Sequence, residues 1–229
     1  MDAKSILDAL LASGKQMSDK AVSFAESNLG LPKPGPDRGA MLGTLGKGAV
    51  VGGLAAMLLG TKTGRKLSGN LLAVGSVAAV GTVAYTAYQN WMKSQGKVAD
   101  HATDAPIASL AGVAADRRSQ LILRAMIAAA KADGVIDTDE QAIMDQQLNQ
   151  LDLADDSKKW LKLEMSANHD AKSIAASVDS PAAAAEVYLV SSLVVDDASP
   201  VERAYLDQLQ DAMKLDQGLV DQIRLQIHG

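Results

Sequence analysis

Apolar residues recur at helical spacing along the second half of the chain. Over residues 116–229 the apolar positions follow a period of about 3.6, in segments of roughly 10 to 18 residues. Two helix starts carry capping signals, in the pairs Ser180-Pro181 and Ser199-Pro200. No run alternates between apolar and polar residues for long enough to predict a strand. The sequence therefore predicts an all-α domain of about seven helices.

Two stretches of this domain repeat each other. Residues 133–145 align without gaps with residues 195–207, at an offset of 62 positions. Both stretches have an acidic turn, a helix cap, a glutamate three residues after the cap and the same apolar spacing, and the caps are Asp137 and Ser199. This pattern predicts an internal duplication of a helix-turn-helix unit.

The amino-terminal part of the chain predicts a helix followed by a linker. Within residues 1–30, four apolar side chains fall on one helical face: Ile6, Leu7, Leu10 and Leu11. Residues 31–39 contain prolines at every second position, which prevents a helix. We therefore expect an amphipathic helix joined to the rest of the chain by a Pro/Gly linker.

A long uncharged run follows within residues 40–97. Residues 67–92 contain no Asp, Glu, Lys, Arg or His, and this length exceeds the roughly 20 residues that a helix needs to cross a bilayer. Tyr85, Tyr88 and Trp91 stand at spacing three near its end, as in an interfacial aromatic belt. The sequence therefore predicts a transmembrane helix, and the alternative is a buried, Ala-rich helix at the centre of a bundle.

A second, shorter apolar run covers residues 48–61. Its 14 residues are too few to span a bilayer alone. Small residues recur at every fourth position, namely Gly48, Gly52, Ala56 and Gly60. Such a stripe allows close helix packing in lipid. The run can form a hairpin with residues 67–92, lie in the membrane interface, or serve as a flexible glycine-rich linker. Residues 98–115 then form a polar connector.

Charge separates the two halves of the chain. Residues 1–110 carry 11 Lys+Arg and 7 Asp+Glu, whereas residues 111–229 carry 11 and 20. Binding to the phosphate backbone of a nucleic acid requires clustered Lys and Arg, and an acidic domain repels it, so we expect no nucleic-acid partner. The chain has no cysteine, which excludes disulfides, thiolate metal sites and cysteine nucleophiles. Its three histidines are scattered along the sequence. Nothing pairs a nucleophile with a base, and we expect no enzymatic activity.

The acidic residues concentrate at the two repeated turns, which carry Asp133, Asp137, Asp139 and Glu140 in the first and Asp196, Asp197 and Glu202 in the second. If the duplication brings the turns together, their carboxylates can share a hard divalent cation such as Ca²⁺, Mg²⁺ or Mn²⁺ in an all-oxygen site. The alternative is ordinary helix capping, in which these acids accept bonds from amides at helix starts.

Short motifs also resemble known families. The Asp133-Gly134-Val135-Ile136 turn with Glu140 resembles the Asp-Gly-x-Ile-x-x-x-Glu signature of TerB-like domains, the helical fold associated with tellurite resistance. Residues 62–66, 145–148 and 202–206 resemble the YebE-like family of bacterial inner-membrane proteins of unknown function. This resemblance covers roughly residues 40–225.

The resemblance implies an inner-membrane protein with a TerB-like carboxyl-terminal domain, a kind of domain for which no enzymatic activity is implied. It also implies a metal site at the matching positions, which are Asp133, Asp137, Glu140, Asp196 and Glu202. The second repeat departs from the pattern at Val195, where it lacks the aspartate that Asp133 supplies.

These observations lead to one expected function and one alternative. We expect a membrane-anchored, non-enzymatic protein of the bacterial inner membrane, whose acidic domain binds a partner protein or a divalent cation in a metal or stress response. The alternative is a structural membrane protein that forms homo-oligomers through the small-residue stripe and has no ligand site. The flanking basic residues do not fix the side of the membrane on which the domain lies.

Overall fold

The computed structural model describes residues 2–12, 76–98, 104–132, 153–195 and 200–228. Every regular element in these ranges is helical, which confirms the all-α prediction for this part of the chain. The helices are α1 (residues 3–12), α2 (Val77–Ser94), α3 (Gly112–Ala130), α4 (Asp155–Ser166), α5 (Ala171–Ala176), α6 (Pro181–Val194), α7 (Pro200–Met213) and α8 (Gln217–His228), with a 3-10 turn at Ile107–Ser109. Residues 133–152, which include the first acidic turn, lie outside the described residues.

Helix α6 forms the centre of the bundle. Almost all of its residues are buried, and a helix that is apolar on every side has no face for solvent. Ser180 caps it as predicted, because its Oγ accepts the Ala183 N–H at 3.2 Å, and Pro181 occupies the first turn. The helical period predicted for this part of the chain is seen in its apolar side chains, which are buried at Val187, Leu189, Val190 and Leu193.

Helix α2 packs against α6 and α8. Its buried face includes Val80, Ala84 and Tyr88, whereas Thr82 and Thr86 are exposed. Residues 77–92 of the predicted span thus belong to a helix of the bundle, as in the alternative interpretation, but one face of this helix is exposed and α6 forms the centre. Among the described residues, no helix combines the length and the apolar character that crossing a membrane requires. Residues 48–61 and 67–75 lie outside the described residues.

The connector after α2 is held against the domain. Tyr88 donates its hydroxyl to Asp104 at 2.8 Å, and Ile107 is fully buried. A Cβ on Gly81 would lie 2.9 Å from both the backbone nitrogen of Ala108 and a side-chain carbon of Ile107, so only glycine permits this approach. From Asp104 to the start of α3, the connector is therefore part of the packed fold.

The amino-terminal helix shares the same core. Ile6, Leu7 and Leu10 are fully buried, which confirms the predicted apolar face. The carboxylate of Asp8 accepts the Val77 N–H at the start of α2 at 3.0 Å. Residues 13–30 and the Pro/Gly linker lie outside the described residues. Helix α1 is thus docked directly beside the first turn of α2.

Helices α3 and α6 run side by side in the same direction. Arg118, in the first half of α3, contacts Ser180, which caps α6, and Glu186, in the first half of α6. The buried face of α3 continues beyond Arg118 as far as Ala129, and Lys131 at that end donates to the carbonyl of Ala167, from which α5 leads back to Ser180 beside Arg118. The carboxyl-terminal ends of both helices therefore lie at the same end of the bundle.

Candidate functional site

Most residues of the predicted metal site lie outside the described residues. This applies to Asp133, Asp137, Glu140 and Asp196, whereas Glu202 lies in the first turn of α7. Within the described ranges, no three His, Asp or Glu side chains gather as metal ligands would. The whole small-residue stripe, Gly48, Gly52, Ala56 and Gly60, also lies outside them.

The described residues do fix where the two acidic turns begin. The first turn follows Ala132, two residues after α3, and the second follows Val195, which is fully buried at the end of α6. Because α3 and α6 are parallel, both turns start from the same end of the bundle. Ala132 and Val195, the last described residues before the two turns, thus follow two parallel helices.

The three aromatic residues predicted as an interfacial belt have partners inside the protein. The Tyr85 and Tyr88 rings are buried, with centroids 6.1 Å apart, and the Trp91 ring lies 5.9 Å from Tyr88. Trp91 donates its indole N–H to the Asp216 carboxylate at 3.0 Å. These rings therefore join α2 to the connector and to the start of α8.

A buried ion pair lies between α3 and α6, and sequence reasoning did not identify it. Arg118 donates to Glu186 at 2.8 Å, and both side chains are almost completely buried. The second Glu186 oxygen accepts the Ile107 N–H at 2.6 Å. Arg118 also donates to Asp179 at 2.6 Å and to Ser180 at 3.2 Å. The pair thus connects α3, α6 and the connector.

Burial has the largest effect on the pKa of Glu186 in this pair. Removal from water raises the pKa of Glu186 above its ordinary value, although the Ile107 N–H and Arg118 oppose this shift. Both carboxylate oxygens already accept hydrogen bonds within the protein, so neither is directed at a ligand. The pair therefore positions the connector and the two helices. One signal in the sequence could have indicated this pair. Glu186 is a lone charged residue among the apolar residues 182–190, and a buried charge requires a partner.

A second polar cluster lies between α3 and α4. Arg124 binds Glu164 through two hydrogen bonds of 3.0 and 2.7 Å, and the His169 Nε2 lies 2.8 Å from a Glu164 oxygen. The hydrogen bond from Arg124 holds the pKa of Glu164 below its ordinary value. The Arg124 guanidinium also lies 6.0 Å from the Trp160 ring centre. This cluster fixes α4 against the bundle.

The outer face of α4 combines basic and apolar side chains. Lys158, Lys159 and Lys162 fall within five consecutive positions. Leu163 is 70% exposed, and Trp160 is half-buried at the edge of the core. Elsewhere, a shallow concavity between α7 and α8 is lined by Arg203, Leu206, Asp207 and Arg224.

Comparison with known proteins places the chain in a family. The family model described as "Protein of unknown function (DUF533)" matches residues 44–227, and the chain belongs to this family. One relative, "Uncharacterized protein in ampR 5'region" from Yersinia enterocolitica, is 28% identical over 112 residues, which cover 49% of this chain and 81% of the relative. No solved structure matches the chain. The predicted membership of an uncharacterised family is thus confirmed.

Proposed function

We propose that this member of a family of unknown function is a non-enzymatic, membrane-attached protein of the bacterial envelope that presents an acidic helical domain to a partner protein. The YebE-like resemblance supports the attachment to a membrane, and the TerB-like resemblance supports the helical domain. The relative from Yersinia enterocolitica supports a bacterial origin. The proposal moves the attachment from residues 67–92 to residues 48–75, because α2 packs into the bundle through its apolar face.

The observation that carries this proposal is the contact between α1 and the start of α2. The hydrogen bond from Val77 to Asp8 brings the chain before residue 13 next to the chain after residue 75. The intervening residues contain the apolar run 48–61 and the uncharged residues 67–75. A segment whose two ends are fixed to one domain must return to the side of the membrane that it left.

Because both ends of the segment are fixed to one domain, a hairpin or an interfacial attachment is favoured over a single span. A helix over residues 48–61 would be roughly 21 Å long, shorter than the roughly 30 Å hydrocarbon core. The small-residue stripe would let that helix pack closely against a neighbour. We therefore propose that this segment enters the bilayer partway, or lies in its interface, and returns.

Single-cysteine labelling tests the proposal, because the natural chain has no cysteine. Lys4→Cys and Lys97→Cys place thiols at exposed positions before and after the segment. We expect the chain to float with membranes and both thiols to react with an impermeant maleimide under the same conditions. Deletion of residues 48–61 should release the chain from the membrane. Recovery of the intact chain in the soluble fraction, or labelling from opposite sides, would refute the proposal.

A second candidate function is cation binding by the two acidic turns, and the parallel course of α3 and α6 favours it. An all-oxygen site would take Ca²⁺, Mg²⁺ or Mn²⁺. Each bound cation should raise the melting temperature of the full chain by mass action. Asp133→Asn and Glu202→Gln should abolish the rise, whereas Asp211→Asn, at an exposed position of α7, should retain it. No rise at millimolar cation would leave helix capping as the role of these acids.

A further inference from the structure

Helix α4 carries a concentration of basic charge in an acidic half of the chain. Three of the 11 Lys+Arg after residue 110 are Lys158, Lys159 and Lys162, in a half that contains 20 Asp+Glu. Two of the other basic side chains, Arg118 and Arg124, are engaged by Glu186 and Glu164 inside the bundle. Asp155 and Asp156 are also exposed, so the exterior of α4 carries three lysines and two aspartates, in contrast to the acidic excess of the domain as a whole.

The geometry of α4 places apolar and basic groups on one outward face. Its buried face includes Leu161, Glu164 and Met165. Lys159 has a side chain that is 75% exposed, and its 3.8 Å contact with Asp156 joins two solvated groups, which is a weak interaction. Leu163 stands three positions after Trp160, so the two side chains are neighbours on the helix surface.

Trp160 is held in place before any ligand binds. One part of the ring packs against the core, and Arg124 lies 6.0 Å from the ring centre. Arg124 is itself fixed by the two hydrogen bonds to Glu164. A ring that is already oriented loses little conformational entropy on binding. Trp160 is thus suited to act as an anchor at a surface.

We propose that the α4 face, defined as Lys159, Trp160 and Leu163, docks on an anionic lipid surface. A lone exposed leucine is common on proteins, and the inference comes from its combination with an oriented tryptophan and clustered lysines. This combination is typical of helices that lie in the membrane interface, where lysines face anionic headgroups. The proposal rests on the proposed membrane attachment, and it adds a second contact that holds the domain against the bilayer.

The acidic residues of α4 are compatible with this contact. Asp155 and Asp156 lie in the first turn, where carboxylates stabilise a helix start. Leu163 lies two turns further along, near the other end of the helix. Asp156 lies one turn before Lys159 on the same side of the helix, so we assign the lipid contact to the carboxyl-terminal half of α4, where Leu163 lies.

Fluorescence of Trp160 in the full chain tests the proposal. Trp91→Phe leaves Trp160 as the single tryptophan, since the chain has two. With vesicles of phosphatidylglycerol and phosphatidylethanolamine, Trp160 emission should shift to the blue and be quenched by brominated lipid. Vesicles of phosphatidylcholine, or high salt, should weaken both effects.

Matched variants assign the effect to the face. Lys159→Glu should raise the lipid concentration needed for half of the Trp160 quenching by roughly tenfold. Leu163→Asp should abolish the quenching. Lys172→Glu makes the same charge change at an exposed position of α5 and should leave quenching unchanged. These positions are exposed, so the fold should be retained, and circular dichroism checks this.

Two outcomes would overturn the inference. If the chain binds vesicles while Trp160 stays unquenched, the α4 face does not dock, although attachment through residues 48–75 stands. If Lys172→Glu and Lys159→Glu weaken quenching equally, overall charge and not this face is responsible. Conversely, quenching that persists after deletion of residues 48–61 would keep the α4 contact and refute the proposed attachment.

Discussion

Replacing Arg118 by methionine tests the central structural role of the buried ion pair. Methionine keeps most of the aliphatic length of arginine and removes the guanidinium, so the main change is electrostatic. Glu186, whose side chain is 1% exposed, then has the Ile107 N–H as its remaining hydrogen-bond donor among the contacts above. We expect the variant to be destabilised because a charge remains buried without its partner.

The expected loss follows from the burial of the two groups. Breaking a buried pair from one side costs about 3–5 kcal/mol. The bond from Arg118 to Asp179 adds less than about 1 kcal/mol, because the Asp179 side chain is 69% exposed. Arg118→Met together with Glu186→Gln should cost only about 1–3 kcal/mol, since no charge is left and the amide oxygen can still accept from Ile107.

The loss should depend on pH in a defined direction. Burial already raises the pKa of Glu186, and removal of Arg118 raises it further. A carboxyl group whose folded pKa exceeds its unfolded value lowers stability as pH rises through the folded pKa. The deficit of Arg118→Met should therefore be largest at neutral pH and shrink as the pH falls towards about 4.3, the ordinary value of a glutamate.

Urea denaturation followed by circular dichroism measures these differences. The free energy of unfolding of the wild type, both single variants and the double variant should be compared from about pH 4.5 to pH 8. The reasoning is wrong if Arg118→Met costs under about 1 kcal/mol at neutral pH. It is also wrong if the double variant is less stable than Arg118→Met, because removal of the second charge would then bring no relief.

Three further substitutions probe the packing and the pH response. Gly81→Ala should lower the free energy of unfolding by about 1–3 kcal/mol, because the new Cβ would lie 2.9 Å from the Ala108 nitrogen; an unchanged urea midpoint would contradict this. Asp8→Ala should cost about 1 kcal/mol through the lost bond to Val77, and protection of the first α2 amides from hydrogen exchange should fall. The pKa of Glu164 is lowered by Arg124, so its stabilisation is present above the ordinary glutamate pKa and is lost as the pH falls through the folded value. Glu164→Gln should therefore flatten the fall in melting temperature between about pH 5 and pH 2, and an unchanged slope would contradict this.

Local signals predicted the described helices well. The cap at Ser180, the apolar face of α1 and the buried positions of α6 all depend on residues within a few positions of one another. Hydrogen bonding at a helix start and the 3.6-residue period act over the same short range. The sequence therefore contained the information for these elements.

The long uncharged run at residues 67–92 was harder to interpret. A helix that crosses a bilayer and a helix that lies inside a bundle both lack charged residues, so composition alone cannot separate them. Two features of the run favour the bundle in retrospect. Thr82 and Thr86 share the exposed face of α2, and Gly81 lies against the 3-10 turn of the connector.

The buried ion pair shows what sequence patterns omit. Glu186 stands in an otherwise apolar helix, which indicates that it has a partner. The partner Arg118 lies 68 positions earlier in the chain, and nothing in the local pattern of α3 distinguishes it from Arg117. Identifying Arg118 requires the packing of α3 against α6, because only that packing determines which arginine is buried.

The position of this pair bears on the acidic turns at the other end of the same helices. Arg118 and Glu186 fix how far α3 is shifted along α6, and the turns begin about 18 Å further along α3. Because helices are stiff over this length, the register set at the pair also sets the relative position of Ala132 and Val195. A cation that needs oxygens from both turns depends on that register, whereas acids that only cap their own helices do not. The buried pair and the two turns are therefore separate in sequence and linked in the fold.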